Sequence, residues 1–366
     1  MEPTTQTKDT TLLARSAPTR GCHKITMVVI LLLAAFLNFY RITAEGYGNQ
    51  YYAAAIKSML MNWHNFFFVS FDPAGFVSVD KPPLGLWVQT ASAWLFGFEG
   101  WALMLPQALA GVLSVWLMYV LVKRVFAPTA GVISALVLAV TPISVATNRN
   151  NTMDSLLVLT SLLAAWAVSI ATEKGKLRWL LLCAVLVGMG FNIKMLQAFL
   201  VLPALFLLYL VAAPLKFWKR VGHLALATLV LLAVSLSWAV AVDLTPPENR
   251  PYMGSSQGNS VMELIIGHNG MSRLLPGGLR RMMNLGNPPP GQPAYPPPPG
   301  VTPGQSPPPP YGGMPGQPRP PSGPNQPGAG QPFFSETGEP GALRLLNKLV
   351  AGQAASELPQ EAHNLQ

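Results

Sequence analysis

LRWLLLCAVLVGMGFNIKMLQAFLVLPALFLLYLVAAPLKFWKR, Leu177–Arg220, decides the fold class. From Leu177 to Leu210 it is almost continuously apolar, broken by Asn192, Lys194 and Gln197. A helix crossing a bilayer uses about 20 apolar residues. The run is too long for one crossing, and the polar trio divides it into spans at Leu177–Phe191 and Ala198–Ala213. Lys216, Lys219 and Arg220 close the second. Leu224–Val242 follows, and Met153–Ala171, Ala130–Ala146, Trp101–Val122 and Ile25–Ile42 precede. The expectation is an all-α integral membrane bundle of about seven transmembrane helices.

The composition agrees. Half of the 366 residues are hydrophobic and 11% are charged, where a soluble domain carries roughly a quarter charged residues. More than half of the 36 prolines fall between Pro288 and Pro332, so an apolar body joins a Pro/Gly-rich tail. The net charge of +9 does not indicate nucleic acid. The basic residues sit in short clusters between apolar segments, the pattern of cytoplasmic loops, without the basic stripe that tracks a phosphate backbone. Cys22 and Cys183 fit neither a disulfide framework nor a zinc site.

Orientation follows from those clusters. Lys8, Arg15, Arg20 and Lys24 precede the first span; Lys123 and Arg124 follow the second; Lys174, Lys176 and Arg178 follow the fourth; Lys216, Lys219 and Arg220 follow the sixth. Seven spans put all four on one side, and the positive-inside bias makes that side cytoplasmic. The expected location is the cytoplasmic membrane, with a cytoplasmic N-terminus and an extracytoplasmic C-terminal tail. Ile25–Tyr40, behind Arg20 and Lys24, reads as a retained signal anchor.

The expected organisation is a cytoplasmic tail at 1–24, a transmembrane domain at 25–243, an outer segment at 244–284, a disordered Pro/Gly-rich region at 285–332 and a short segment at 333–366. The first outer loop, 43–100, is expected to carry interfacial helices at Tyr51–Trp63 and Leu84–Phe96, the latter opened by Pro82 and Pro83. Trp63, His64 and Phe66–Phe68 read as interfacial anchors. Pro288–Pro332 suits polyproline II with glycine breaks, and Ala342–Val350 a short helix.

Charged groups in or beside spans usually serve function. Glu45, Asp72, Asp80 and Asp154, with Lys81, Arg149 and Lys194, all fall on the outer side. Moving a sugar from a polyprenyl phosphate needs a base for the acceptor proton and cations for the departing phosphate. The cluster holds both. Each member also has a plainer reading: a solvated turn for Asp80-Lys81, a favourable acid in a first helical turn for Asp154, a snorkelling cation for Lys194 and an ordinary loop charge for Arg149. His64 and His268 lie on the same side without a metal-ligand spacing, so no metal site is assigned. A divalent cation bridging carboxylate and phosphate stays compatible with the cluster.

Gly46–Gln89, GYGNQYYAAAIKSMLMNWHNFFFVSFDPAGFVSVDKPPLGLWVQ, closely resembles the first outer loop of bacterial membrane glycosyltransferases of the GT-C fold, relatives of protein O-mannosyltransferases and of the lipid A aminoarabinose transferase. NRNNTMDSLL (Asn148–Leu157), GFNIKMLQAFLVLPA (Gly190–Ala204), DLTPPENRPYMGSSQGNSVMELIIGHNG (Asp243–Gly270) and PGALRLLN (Pro340–Asn347) extend the likeness. The resemblance implies an inverting transfer from a polyprenyl-phosphate sugar to an envelope polymer, lipid or protein outside the membrane. It matches Asp80 and Lys81 to the family's acid-Lys-Pro motif and Lys194 to a position facing the donor phosphate. Asn49, Tyr52, Arg149 and Asp154 join Lys81 and Lys194 as candidate substrate contacts.

Two departures accompany it. Many relatives open the juxtamembrane helix with an acidic pair whose first member acts as base; here those places are Gly48 and Asn49. Asp80 becomes the candidate base, with Glu45 the nearby alternative. Relatives also continue into further spans, whereas AGQAASELPQEAHNLQ ends this chain. The expectation is a C-terminally truncated member, inactive alone or completed by a second chain. A lipid-headgroup carrier is the competing class, but it requires polar residues through the bilayer midplane, and the spans offer few. A non-catalytic partner using the Pro-rich tail for docking is a third.

Overall fold

The computed structural model describes residues 20–256 and 258–271. The expectations for Pro288–Pro332, Ala342–Val350, segment 333–366 and most of the N-terminal tail lie outside the described residues. The architecture is helical: α1 (Arg20–Phe39), α2 (Gln50–Met59), α3 (Trp63–Phe68), α4 (Pro83–Phe96), α5 (Gly100–Val125), α6 (Pro128–Val140), α7 (Pro142–Asn148), α8 (Asp154–Lys174), α9 (Leu177–Lys194), α10 (Leu202–Ala212), α11 (Phe217–Asp243) and a short α12 (Val261–Glu263).

Local chemistry sets the boundaries. Asn49 caps α2, its side chain accepting from the Tyr51 and Tyr52 amides. Prolines open α4, α6 and α7 in their first turns, where a missing N–H leaves no orphan donor. Gly175 ends α8 in the left-handed conformation at φ 60°, which glycine adopts without Cβ strain. The expected amphipathic helix at Tyr51–Trp63 is two helices, α2 and α3, because Asn62 starts the second by accepting from the Asn65 amide. The span expected at Ala130–Ala146 is broken: α6 stops at Val140, and Pro142 begins α7 at a 61° bend.

Among the described residues five helical stretches are long and apolar enough to cross a membrane, or six with the bent pair α6–α7. The expected number was seven. The difference lies in Leu177–Ala212, which counts as one 36-residue stretch. It is not straight. α9 ends at Met195 with φ 48°, followed by a 3₁₀ segment, Met195–Val201. The chain then doubles back: a Cβ on Gly175, just before α9, would lie 3.3 Å from the Leu215 side chain, just after α10.

That return gathers the basic clusters. Arg124 at the end of α5 pairs with Glu173 at the end of α8. The Arg220 guanidinium donates to the Leu210 and Leu215 carbonyls at 2.7 and 2.8 Å, and Tyr209 shares a 2.7 Å hydrogen bond with His223. Beneath them Ala171, Leu180, Cys183, Tyr209 and Ala227 pack in one buried cluster. Lipid tails are as apolar as these side chains, so close packing rather than removal from water holds the cluster, and small residues such as Ala171 and Ala227 let the backbones approach.

At the opposite end a second cluster holds the loop helices to the bundle. Ile56, Met59, Val79, Leu86, Met153, Phe191, Met195, Trp238 and Met253 are buried together. The Trp87 and Trp238 indoles donate to the Phe66 and Phe67 carbonyls at 2.7 and 3.0 Å. The segment after α11 adds an extended pairing: Tyr252 N donates to Phe76 O at 2.7 Å and Ser78 N to Tyr252 O at 2.9 Å.

Candidate functional site

Asp80 and Lys81 sit between that pairing and the first turn of α4. The Lys81 ammonium lies 2.5 Å from Asp80 Oδ2, with side chains 10% and 19% exposed respectively. Two features fix their backbone. Ser78 Oγ accepts from the Gly254 amide at 3.1 Å, and a Cβ on Gly254 would stand 2.4 Å from the Ser78 carbonyl oxygen. The Asn269 amide donates to the Asp80 carbonyl at 3.3 Å. The Asp80 turn is thus held by residues some 170–190 positions further along.

Lys194 and Asp154 form a second ion pair. Lys194 is the last residue of α9, where the helix breaks, and Asp154 the first of α8. Their side chains keep 20% and 32% exposure, and a pair this accessible contributes about 0–1 kcal/mol to stability. The two pairs share one end of the bundle, because the Met153 side chain fills the space beside Gly85 in the first turn of α4, where a Cβ would meet it at 2.4 Å.

Glu45 and Arg149 make a third pair. Arg149 also donates to the Leu37 and Tyr40 carbonyls at 3.1 and 2.8 Å. It caps the end of α1, and Glu45 is tied to that cap rather than to Asp80. Asp72 is likewise committed to its own turn, accepting from the Ala74, Phe76 and Val77 amides at 2.8–3.0 Å.

Asn49 is joined to Asn151 twice: Asn49 N donates to Asn151 Oδ1 at 2.7 Å and Asn151 Nδ2 to Asn49 O at 2.9 Å. Gln89 Nε2 donates to Asn151 O at 2.9 Å. Tyr52 is half-buried at the α2 start, beside the Asn49 cap. Gly48 has φ +62°, and a Cβ there would lie 3.0 Å from both Asn151 Oδ1 and Met104 Cε. The Gly48 position is therefore left-handed and walled by amides. Sequence reasoning missed Asn151, Gln89, Gly254 and Asn269; amides and glycines carry no charge signal.

Among the described residues no group of three or more His, Cys, Asp or Glu side chains could hold a metal ion. A divalent cation here would need ligands from the substrate phosphate as well as from Asp80 or Asp154.

Residues 80–238 match the family described as dolichyl-phosphate-mannose-protein mannosyltransferase. Over that stretch the chain is similar to membrane glycosyltransferases of the GT-C kind. The family match opens on Asp80 and includes Lys81, Arg149, Asp154 and Lys194. Putative mannosyltransferase YycA of Bacillus subtilis (strain 168) is 53% identical over 248 residues, 68% of this chain and 36% of that protein. An undecaprenyl phosphate-alpha-4-amino-4-deoxy-L-arabinose arabinosyl transferase of Pseudomonas paraeruginosa (strain DSM 24068 / PA7) is 31% identical over 229 residues, 58% of this chain and 40% of that protein. The chain thus spans between a third and two fifths of the length of the curated proteins it matches. The crystal structure of ArnT from Cupriavidus metallidurans in the apo state aligns at a TM-score of 0.47 and 22% identity, covering 63% of this chain and 43% of that one.

Proposed function

We propose that this chain is a membrane glycosyltransferase that moves a sugar from a polyprenyl-phosphate carrier to an envelope acceptor, outside the cytoplasmic membrane. The observation that carries the reading is that two separate ion pairs, Asp80–Lys81 and Asp154–Lys194, stand at one end of the bundle, opposite the basic clusters. Both cations already face carboxylates, so an arriving phosphate offers them an alternative anion.

The chemistry is a single displacement. The acceptor hydroxyl gives its proton to Asp80 as its oxygen attacks the anomeric carbon. The bond from that carbon to the phosphate oxygen breaks, and the electron pair leaves with the phosphate. Lys81 and Lys194 take up the charge that develops there. Attack opposite the leaving group inverts the anomeric centre. Asn49 and Tyr52, at the capped start of α2, stand as contacts for the sugar or acceptor. The relatives named for mannose and for aminoarabinose differ in sugar, so donor identity is left to the assay.

The test is transfer from a radiolabelled polyprenyl-phosphate sugar in membranes containing the chain. Asp80→Asn should lower the rate by at least about 100-fold, the scale of lost general-base catalysis, with membrane insertion unchanged. An Asp80→Asn variant as active as the parent would remove Asp80 from the role. An inactive parent chain beside an active longer relative would sink the claim that this chain catalyses alone.

A further inference from the structure

A cavity of about 270 Å³ lies between α5, α6, α7 and α8, beside the bend at Thr141–Pro142. Its walls include Gly111 and Ser114 of α5, Leu138 of α6, Ser144 and Asn148 of α7 and Ser155 of α8. No charged side chain lines it. Arg149, next to Asn148, is turned away onto Glu45 and the end of α1. Ile143 and Val158 also belong to the lining, and are 71% and 45% exposed. Both lie on the apolar outer face of helices that meet the crossing criterion, α6–α7 and α8. The mouth therefore faces lipid tails.

Two polar side chains on its wall lack a hydrogen bond, and the Ser155 hydroxyl is the fully enclosed one of the two. Ser155 is more than nine-tenths buried, and its hydroxyl has no partner. Asn148 is buried to the same degree, and its amide makes no hydrogen bond among the described residues. Its amide is admitted only by the missing side chain of Gly111, where a Cβ would stand 2.2 Å from Asn148 Nδ2. A buried amide or hydroxyl without a partner is costly, and an acceptor brought into the cavity would relieve that cost. The broken helix beside them has the form that lines binding sites.

We infer that this cavity binds the ester–glycerol end of a membrane diacyl lipid: the Asn148 amide and Ser155 hydroxyl donate to an ester carbonyl, and the adjoining acyl chain runs out between Ile143 and Val158. The absence of a cation argues against a phosphate inside. The two unsatisfied donors argue against a bare isoprenoid chain, which offers them no acceptor. The volume would hold about nine waters at liquid density, or the first part of one acyl chain with its ester. This inference stands apart from the transfer reaction and does not depend on it.

The experiment is native mass spectrometry of the delipidated full chain, titrated with dioleoyl-phosphatidylglycerol and, separately, with squalene, a hydrocarbon without acceptors. One tightly held phosphatidylglycerol and no equivalent squalene is the expected result. Ser144→Leu, which fills the cavity from its wall, should weaken that lipid about tenfold. Ser155→Ala, which removes a donor without adding volume, should weaken it about fivefold, the range of one hydrogen bond, while leaving the lipid-free melting temperature equal or higher. Equal retention by parent and both variants would overturn the inference. So would equal binding of squalene, or density in a lipid-bound structure showing only ordered water in the cavity.

Discussion

At the scale of single residues, Gly48 is the most informative position. The resemblance predicts an acid at this place, whereas φ is +62° and Asn151 and Met104 close the space to a side chain. A left-handed conformation costs a non-glycine residue about 1–2 kcal/mol. Gly48→Asp should therefore lower the detergent melting temperature measurably without raising transfer. A variant of unchanged stability and higher activity would show that an acid at 48 is accommodated after all. The charged residues of the site could be read from the sequence, since ionisable groups beside apolar runs are rare. Their partners could not. Lys194 and Asp154 are 40 positions apart, and hydropathy places both on one side of the membrane without bringing them into contact. The same limit left Glu45 and Asp80 undistinguished, although Glu45 is bound to the Arg149 cap.

At the scale of elements, the crossing of α9 and α11 is the test case. A Cβ on Gly188 would meet Val234 side-chain atoms at 2.8 Å, with the Leu231 carbonyl at 3.3 Å behind. Asn192, one turn later, donates to the Val234 carbonyl at 2.8 Å and so fixes the register of the pair. Gly188→Ala has to separate the helices or bend one, at about 1–3 kcal/mol for overpacking. Thermal melting of the variant should show that loss; an unchanged curve would mean the crossing is looser than described. Asn192, Lys194 and Gln197 announced the break between α9 and α10 because polar side chains interrupt an apolar run. Pro142 signalled a new helix start, but not the 61° bend. The pairing of Tyr252 with Phe76 and Ser78 left no trace in local pattern, since two residues are too few to show strand alternation.

At the scale of the whole chain, the separation of basic clusters from site residues predicts a topology. In a Cys22→Ser, Cys183→Ala background, a membrane-impermeant maleimide should label Ser255→Cys from outside intact cells and Lys176→Cys only after permeabilisation. The reverse pattern would place Asp80 and Lys194 in the cytoplasm and remove the extracytoplasmic donor reading. Seven apolar segments were legible because the bilayer imposes length and composition. Whether two of them count as one depended on a return that only Gly175 beside Leu215 reveals.

The clasp between Ser78 and Gly254 joins residues 176 positions apart, and a ribosome makes the first long before the second. At about 5–20 residues per second, the nascent loop that carries Asp80 and Lys81 waits roughly 9–35 s for its closing strand. During that interval the Phe76 carbonyl and the Ser78 amide have no Tyr252 to meet, and Asp80 has not yet acquired its Asn269 support. Insertion of the early helices and maturation of the loop are thus separate events in time. A chain stopped just after α11 would sit in the membrane with its helices in place and its acid-Lys-Pro turn still unlatched.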